Sequence, residues 1–421
     1  LNGLDLIVAA VRVFAVFGIV LLLMALLIWM ERKGAAYIQD RRGPNRAHLF
    51  GMRLGGLVHI IADAIKLLTK EEVMPRCANR SLFVLAPMIA FCASIAAVAT
   101  VPFTSTFDVG FGTMAIEVAD LGSGLVFALA MSSLGIYAWV LAGWSSGSTY
   151  SLLGGMRAAA QLISYALALG LSATALFLVA GSLSLSDIVA DQEGALWRWN
   201  ALRQPFAFLI FTTALFAETG RLPFDLPEGE QEIVGFHVEY SSARFAMFSM
   251  AEYAHIVVGS SIIAALFLGG WSVPFVMDGK LALYARSVGL LLWPCISMVL
   301  SLAGLWIMGR RRRHFADRRD REPYIVGGVL LAGGIFLAAL FAGYSGVASN
   351  LPAFGAISVA FLQLCVMFAK VLAVCALFIW VRWTLPRFRY DQLMAFGWKV
   401  LLPLAMLNVA VTAFAVMLAD G

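Results

Sequence analysis

The chain has 421 residues, 61% of them hydrophobic and 13% charged, with a mean hydropathy of +0.87. That composition excludes a soluble globular domain, and a net charge of +5 calls for no nucleic-acid partner once its distribution along the loops is considered. Continuous apolar runs of about 20 residues recur throughout, each enough to cross a hydrocarbon layer of roughly 30 Å; a β-barrel would instead alternate over about ten residues.

The expected fold is an all-α polytopic transmembrane bundle of about ten spans, near 7–30, 81–101, 121–143, 158–180, 204–219, 246–269, 286–308, 324–345, 357–381 and 396–418. The first run continues into "MERKGAAYIQDRRGPNR" without a small-residue cleavage site, so it is expected to be a retained span rather than a signal peptide. If residues 31–80 face the cytoplasm, the even alternation of loops follows from there. Of the 30 Lys and Arg, Arg12, Arg198, Arg203, Lys280 and Arg286 then fall outside and Lys370 lies within a span. The remaining 24 are cytoplasmic, so the positive-inside rule predicts both termini on the periplasmic side of a bacterial inner membrane.

Residues 50–70, "FGMRLGGLVHIIADAIKLLTK", break this pattern. Leu54, Val58, Ile61, Ile65 and Leu68 recur at helical spacing while Arg53, Asp63, Lys66 and Lys70 interrupt the apolar run. The spacing predicts an amphipathic helix in the membrane interface or against partner helices. Residues 309–322 hold seven arginines in fourteen residues, which reads as a topogenic, lipid-facing clamp or as a contact for anionic lipid or an acidic subunit. The five cysteines contain no CxxC and no suitably spaced histidine, so no metal, flavin or iron–sulfur cluster is expected on this chain.

The stretch "FAETGRLPFDLPEGEQEIVGFHVEY", residues 216–240, concentrates six of the 25 acidic residues: Glu218, Asp225, Glu228, Glu230, Glu232 and Glu239. Pro223 and Pro227 exclude a regular helix there, so an irregular loop is predicted at the cytoplasmic end of the fifth span. Phe216, Phe224, Leu226, Ile233, Val234 and Phe236 alternate with the acids, which would be wasteful in a solvated loop. Glu252 carries the series into the next span, where a carboxylate is costly and marks an ion or proton path. Two charges about 6 Å apart at an effective dielectric near 20 interact by about 2.8 kcal/mol, roughly two pKa units, so moving one charge shifts protons along such a row.

Residues 217–253 resemble the signature of the quinone-chamber membrane subunit, the H-subunit, of proton-pumping NADH:quinone oxidoreductase, respiratory complex I. "ERKGAAYIQDRRGPNR" (31–46), "ADAIKLLTKE" (62–71), "GWSSGSTYSLLGGMRAAAQLISY" (143–165) and "FIWVRWTLPRFRYDQLMAFGWKVLLPLAMLN" (378–408) resemble family patterns in the family's order. The resemblance implies a chamber in which a lipid quinone, ubiquinone or menaquinone, meets the last iron–sulfur cluster of the peripheral arm. It assigns the chamber to Glu31, Arg32, Arg41, Arg42, Arg46, Asp63, Lys66 and Phe224. A proton relay through Arg221, Asp225, Glu228, Glu230, Glu232, Glu239, Glu252 and Lys370 would run on to small and antiporter-like membrane-arm subunits. The implied partners are those subunits, the peripheral-arm iron–sulfur and quinone-site subunits, and membrane lipids.

Three departures stand out. Ala166 occupies the place of a membrane-embedded Glu in the family's "SYE", Gly220 replaces an Asn, and residues 280–350 add two spans to the usual eight. The alternatives in view are a homologous subunit of an energy-converting hydrogenase, a divergent, weakly pumping paralogue of complex I, and a stand-alone secondary transporter. The transporter would need discontinuous helices around a central site.

Overall fold

The computed structural model describes residues 3–49, 52–108, 113–229, 234–309, 322–348 and 352–420. The fold is all-α, and eight of the described helices are long and apolar enough to cross a membrane. Long helices form where Leu, Ala, Met and Phe run unbroken, and they stop at Gly, Pro and Ser clusters.

Helix α1 (Gly3–Ile38) is followed by an arginine-rich loop and the short α2 (Val58–Thr69). Then come α3 (Arg80–Val98), α4 (Gly124–Ser145) and α5 (Thr149–Ala180). Two short helices, α6 (Leu185–Asp191) and α7 (Asn200–Arg203), lead into α8 (Pro205–Glu218). The acidic stretch follows, and then α9 (Ser242–Phe267). After α10 (Asp278–Leu283) come α11 (Ala285–Gly309), α12 (Glu322–Ala348) and α13 (Pro352–Thr384). Helix α14 (Tyr390–Phe396) passes through a π-helical turn, Gly397–Leu401, into α15 (Leu402–Asp420).

Helix α9 is the axis of the bundle. Its apolar window is 83% buried, against 17% for α11 at the edge. Small side chains allow this: Gly259 receives Leu215 of α8, where a Cβ would come within 2.7 Å of Leu215 Cδ2. Around α9 stand α1, α3 and α13. Helix α11 packs on α13 through Trp293, whose ring stacks on Phe361 at 5.4 Å and whose indole N–H donates to Ser358 Oγ at 3.0 Å. Helix α12 packs on α11, so these two helices stand side by side on one flank of the bundle.

The fifth span keeps closely to its expected range of 204–219, whereas the fourth departs from expectation. The fifth span is the 14-residue α8, about 21 Å long and short of a full crossing. Pro205 starts it and Gly220 ends it, at φ +63. The fourth begins earlier than expected, at Thr149 rather than 158, because its first turns are used to hold the acidic stretch. The arginine-rich segment lies almost wholly outside the described residues, which omit 310–321.

The acidic stretch is an irregular loop, as Pro223 and Pro227 require, closed by a short antiparallel pair, β3 (Glu228–Gly229) with β4 (Val234–Gly235); β1 (Phe107–Asp108) pairs with β2 (Thr113–Met114) elsewhere. Its apolar side chains are inside: Phe224, Leu226, Phe236 and Tyr240 are all buried. Phe236 stacks on Trp139 at 5.0 Å, and Tyr240 stacks on Phe83 at 3.9 Å. Gln161 of α5 donates from Nε2 to the carbonyls of Ala217 (2.7 Å) and Phe224 (2.8 Å), and Ser151 donates to the Phe236 carbonyl at 3.0 Å. Gly154 lets the loop touch the α5 backbone, since a Cβ there would sit 2.7 Å from Gly235 C and Phe236 N.

That contact gives a test. Gly154→Val forces the loop off α5 and is expected to destabilise the protein by about 1–3 kcal/mol, the usual cost of overpacking. Gly170→Ala on the same helix, with open space around its Cβ, is expected to leave the thermal midpoint of the purified protein unchanged.

Candidate functional site

The loop after α1 carries "QDRRGPNR", and the polar end of α1 carries Glu31 and Arg32. Adjacent helical positions point to different sides, and these two separate accordingly. Glu31 turns into the bundle and is 8% exposed. Arg32 faces α2 and forms an ion pair with Asp63. Between α1, the loop and α2 lies a cavity of 570 Å³ lined by Glu31, Arg32, Arg41 and Arg46, with His59, Tyr253 and Trp383 among the remaining walls. This is within the range of small-molecule sites. His59 Nε2 accepts from the backbone N–H of Arg46 and of Ala47, each at 3.2 Å, and so ties the loop to α2.

Glu31 belongs to two sites at once. On its inner side it meets Arg382 of α13 directly and Arg221 Nη1 at 3.8 Å. Arg221 in turn holds Glu252 of α9 at 3.1 Å and lies 4.7 Å over the Tyr253 ring. Arg221 and Glu252 are each 8% exposed. Two carboxylates and two guanidiniums therefore balance inside the bundle, the condition under which buried charges are tolerated. A second cavity of only 10 Å³, room for about one water, adjoins them and is lined by Glu31, Arg221 and Arg382 among others.

Gly220 delivers Arg221 to this place. At φ +63 it sits in the left-handed region, which Gly favours and Asn tolerates better than other residues. Below it, Ser132 of α4 donates to Glu218, whose second oxygen is enclosed with no hydrogen-bond partner. Tyr240, outside the spans, has its phenol pushed up to about 12 by burial. It therefore remains a neutral hydrogen-bonding group beside Ser145 at 3.3 Å.

The residues expected to act together divide into groups. Glu31, Arg32, Arg41 and Arg46 line the cavity, and Asp63 reaches it through Arg32. Arg42 does not line it, although its carbonyl accepts from Lys33 at 3.1 Å, and Lys66 is exposed in the last turn of α2. Phe224 is not a wall either: it packs in the core, 5.6 Å from both Tyr165 and Phe388, because the loop buries its apolar residues beneath the charges. Arg221 and Glu252 form the buried pair. Asp225 is half-buried, and its carbonyl accepts from Arg387 at 2.7 Å. Glu239 is half-buried and joins no ion pair among the described residues. The side chain of Glu228 and all of Glu230 and Glu232 lie outside the described residues.

Lys370 is remote from this group. Its Nζ donates to the carbonyls of Gly270 (2.8 Å) and Ser272 (2.9 Å), and it lies 4.9 Å over the Trp199 ring. Facing the bundle and meeting backbone carbonyls is what an ammonium within an apolar run requires. Sequence reasoning gave no role to Arg382, His59, Tyr253 or Trp383. The signal for Arg382 was present as a lone basic residue in "FIWVRW", at the polar end of a span.

The family described as NADH dehydrogenase matches residues 11–315 and 327–413, which includes most of residues 280–350. The first of the numbered NADH-quinone oxidoreductase H-subunits of Solibacter usitatus is 40% identical over 416 residues, covering 97% of this chain and 96% of that protein. The second of the numbered H-subunits of Koribacter versatilis is 37% identical over 429 residues, 99% of each chain. The H-subunit of Bdellovibrio bacteriovorus is 36% identical over 444 residues, 100% of this chain and 97% of its own. The chain belongs to the NADH dehydrogenase family, in the branch formed by the H-subunits of NADH-quinone oxidoreductase.

Proposed function

We propose that this subunit forms the cavity in which a quinone head group is reduced at the membrane edge of an NADH-quinone oxidoreductase. In this reading it passes the resulting charge inward through Glu31, Arg221 and Glu252. The observation that carries the reading is the double membership of Glu31, which lines the 570 Å³ cavity and touches the buried arginines behind it.

Reduction of a quinone to a quinol consumes two electrons and two protons, and electrons arriving first leave negative charge on the head group. Arg32, Arg41 and Arg46 in the lining suit that charge, and the aromatic faces of Tyr253 and Trp383 suit a flat ring. Electrons come from a peripheral-arm iron–sulfur subunit seated over the cavity. New negative charge beside Glu31 favours uptake of a proton by that carboxyl, and the neutral Glu31 loosens its hold on Arg221, which then turns more fully to Glu252. A proton follows along the acidic loop towards small and antiporter-like subunits, with Asp225, Glu228, Glu230, Glu232 and Glu239 as further stations. Apolar helix faces on the outside of the bundle meet lipid or those subunits. The membrane is the bacterial inner membrane, with the cavity on the cytoplasmic side and both termini opposite. Ubiquinone and menaquinone share the head-group chemistry used here.

Arg221→Met leaves two buried carboxylates short of a partner, and is expected to lower inhibitor-sensitive quinone reduction by about tenfold or more in the assembled complex. Arg221→Lys keeps the charge but not the fork, and should retain part of the rate. Wild-type turnover in Arg221→Met would overturn the reading. Arg46→Ala is expected to raise KM for a short-chain quinone several-fold with little change in kcat, the signature of lost substrate binding.

In vesicles, Glu230→Gln, Glu232→Gln and Asp225→Asn are each expected to lower proton pumping. If all three pump at the wild-type ratio, the loop carries no protons. Ala166→Glu restores a carboxyl to α5 and is expected to raise the protons moved per electron; an unchanged ratio means the path runs elsewhere.

A further inference from the structure

Helix α8 ends beside the buried charges at Glu218 and begins at Pro205, so its start lies at the end of the bundle away from the cavity. There a groove of 390 Å³ opens between α5, α8 and α15. Asn408, Val411, Thr412, Ala415 and Ala419 of its wall recur at steps of three and four residues, so they form one stripe of α15. From Asn408 to Ala419 the stripe is about 16 Å long. Phe206 of α8 and Val179, in the last turn of α5, complete the apolar wall. Gln204 Nε2 donates to Thr412 Oγ1 at 3.4 Å and fastens the start of α8 to the stripe.

Arg203 is the single charged residue of the lining. One of its N–H groups donates to Asp191 at 2.7 Å, and the guanidinium donates no other hydrogen bond among the described residues. Asp191 is also drawn to Arg198 at 3.7 Å, so one carboxylate serves two guanidiniums.

We infer that this groove binds an anionic phospholipid of the leaflet away from the cavity, with the phosphate on Arg203 and one acyl chain laid along the α15 stripe. The inference goes beyond the quinone and proton reading and does not depend on it.

Three physical arguments select that occupant. The first is depth. Gln204 is joined to Thr412, and α15 runs on to Asp420, about 12 Å further. The start of α8 is therefore recessed, and a charged side chain beside it among apolar walls needs an anionic partner. A bilayer facing so short a span adapts around it, which brings head groups inward. The second is shape. A volume of 390 Å³ over about 16 Å gives a mean width of about 5 Å, room for one hydrocarbon chain but not for a helix about 10 Å across. The third is charge. A guanidinium with free N–H groups matches phosphate oxygens in pairs. Trp197, exposed on the connection that carries Arg203, belongs to the residue type that sits at head-group level.

The test uses the assembled complex, stripped of its own lipid in detergent and placed in phosphatidylcholine vesicles. The probe is a trace of phosphatidylglycerol with a photoactivatable group on one acyl chain, and labelled peptides are located by mass spectrometry. Label is expected on α8 near Phe206 and on α15 near Val411 and Ala415. Arg203→Gln is expected to cut it about fivefold, while Arg203→Lys keeps most of it. Arg198→Gln also removes a contact of Asp191 but lies off the groove, so it should label as wild type. That arm separates a phosphate contact from a purely structural ion pair. Ala415→Trp fills the groove and should remove the label; if it fails to assemble, the Arg203 and Arg198 variants still decide. Quinone reduction by the Arg203 and Arg198 variants should stay at wild-type level. Wild-type labelling in Arg203→Gln overturns the inference, as does equal labelling by a phosphatidylcholine carrying the same group. An unlabelled groove, with Ala415→Cys cross-linking to another subunit, overturns it as well, because a protein then covers the site.

Discussion

A guanidinium can stay inside an apolar bundle only if carboxylates meet it, and Arg221 is the residue on which this constraint falls. It is held between Glu31 of α1 and Glu252 of α9, while Arg382 of α13 takes the other side of Glu31. Three helices and the start of the acidic loop therefore converge on one neutral group of four charges. Deleting any member leaves a charge uncompensated in a medium that solvates it poorly. An irregular segment has to supply the arginine, because a continuous helix at that point would carry the residue past the gap between α1 and α9.

The loop itself is held by groups that do not titrate. Gln161, Ser151 and the close approach at Gly154 fix the backbone, and the stacked rings of Phe83, Trp139, Phe236 and Tyr240 fill the space beneath. Neutral hydrogen bonds and packing thus carry the scaffold. The charges above are left to respond to one another without the loop coming apart.

Much of this was legible in the residues alone. Continuous apolar runs announced the bundle, and Pro223 with Pro227 announced the irregular loop. Alternating Phe and acid residues indicated that the loop is buried on one face, as Phe224 and Phe236 are. Phe224 packs on Tyr165 and Phe388 apart from the cavity lining, a placement that adjacency in sequence to Arg221 and Asp225 does not reveal, because it says nothing about which side of an irregular backbone a ring takes. The short fifth span was legible as well, since α8 (Pro205–Glu218) falls within the apolar run expected at 204–219. The pairing of Glu31 with Arg382 joins residues 351 positions apart, and no local pattern encodes such a meeting. Tyr253 and Trp383 were equally silent, as aromatic residues at span ends are common for reasons unrelated to any cavity.

The beginning of α9 is tied to the interfacial helix. Ser242 Oγ donates to the carbonyls of Leu67 (2.9 Å) and Lys70 (2.6 Å), and the Val73 N–H donates to Ser241 Oγ at 2.9 Å. Helix α2, meanwhile, turns Ile61, Ile65 and Leu68 outward, each more than half exposed. The exposed apolar face of α2 is thus anchored to the first turn of α9, ten residues before Glu252, so the membrane boundary and the buried charges share one set of hydrogen bonds.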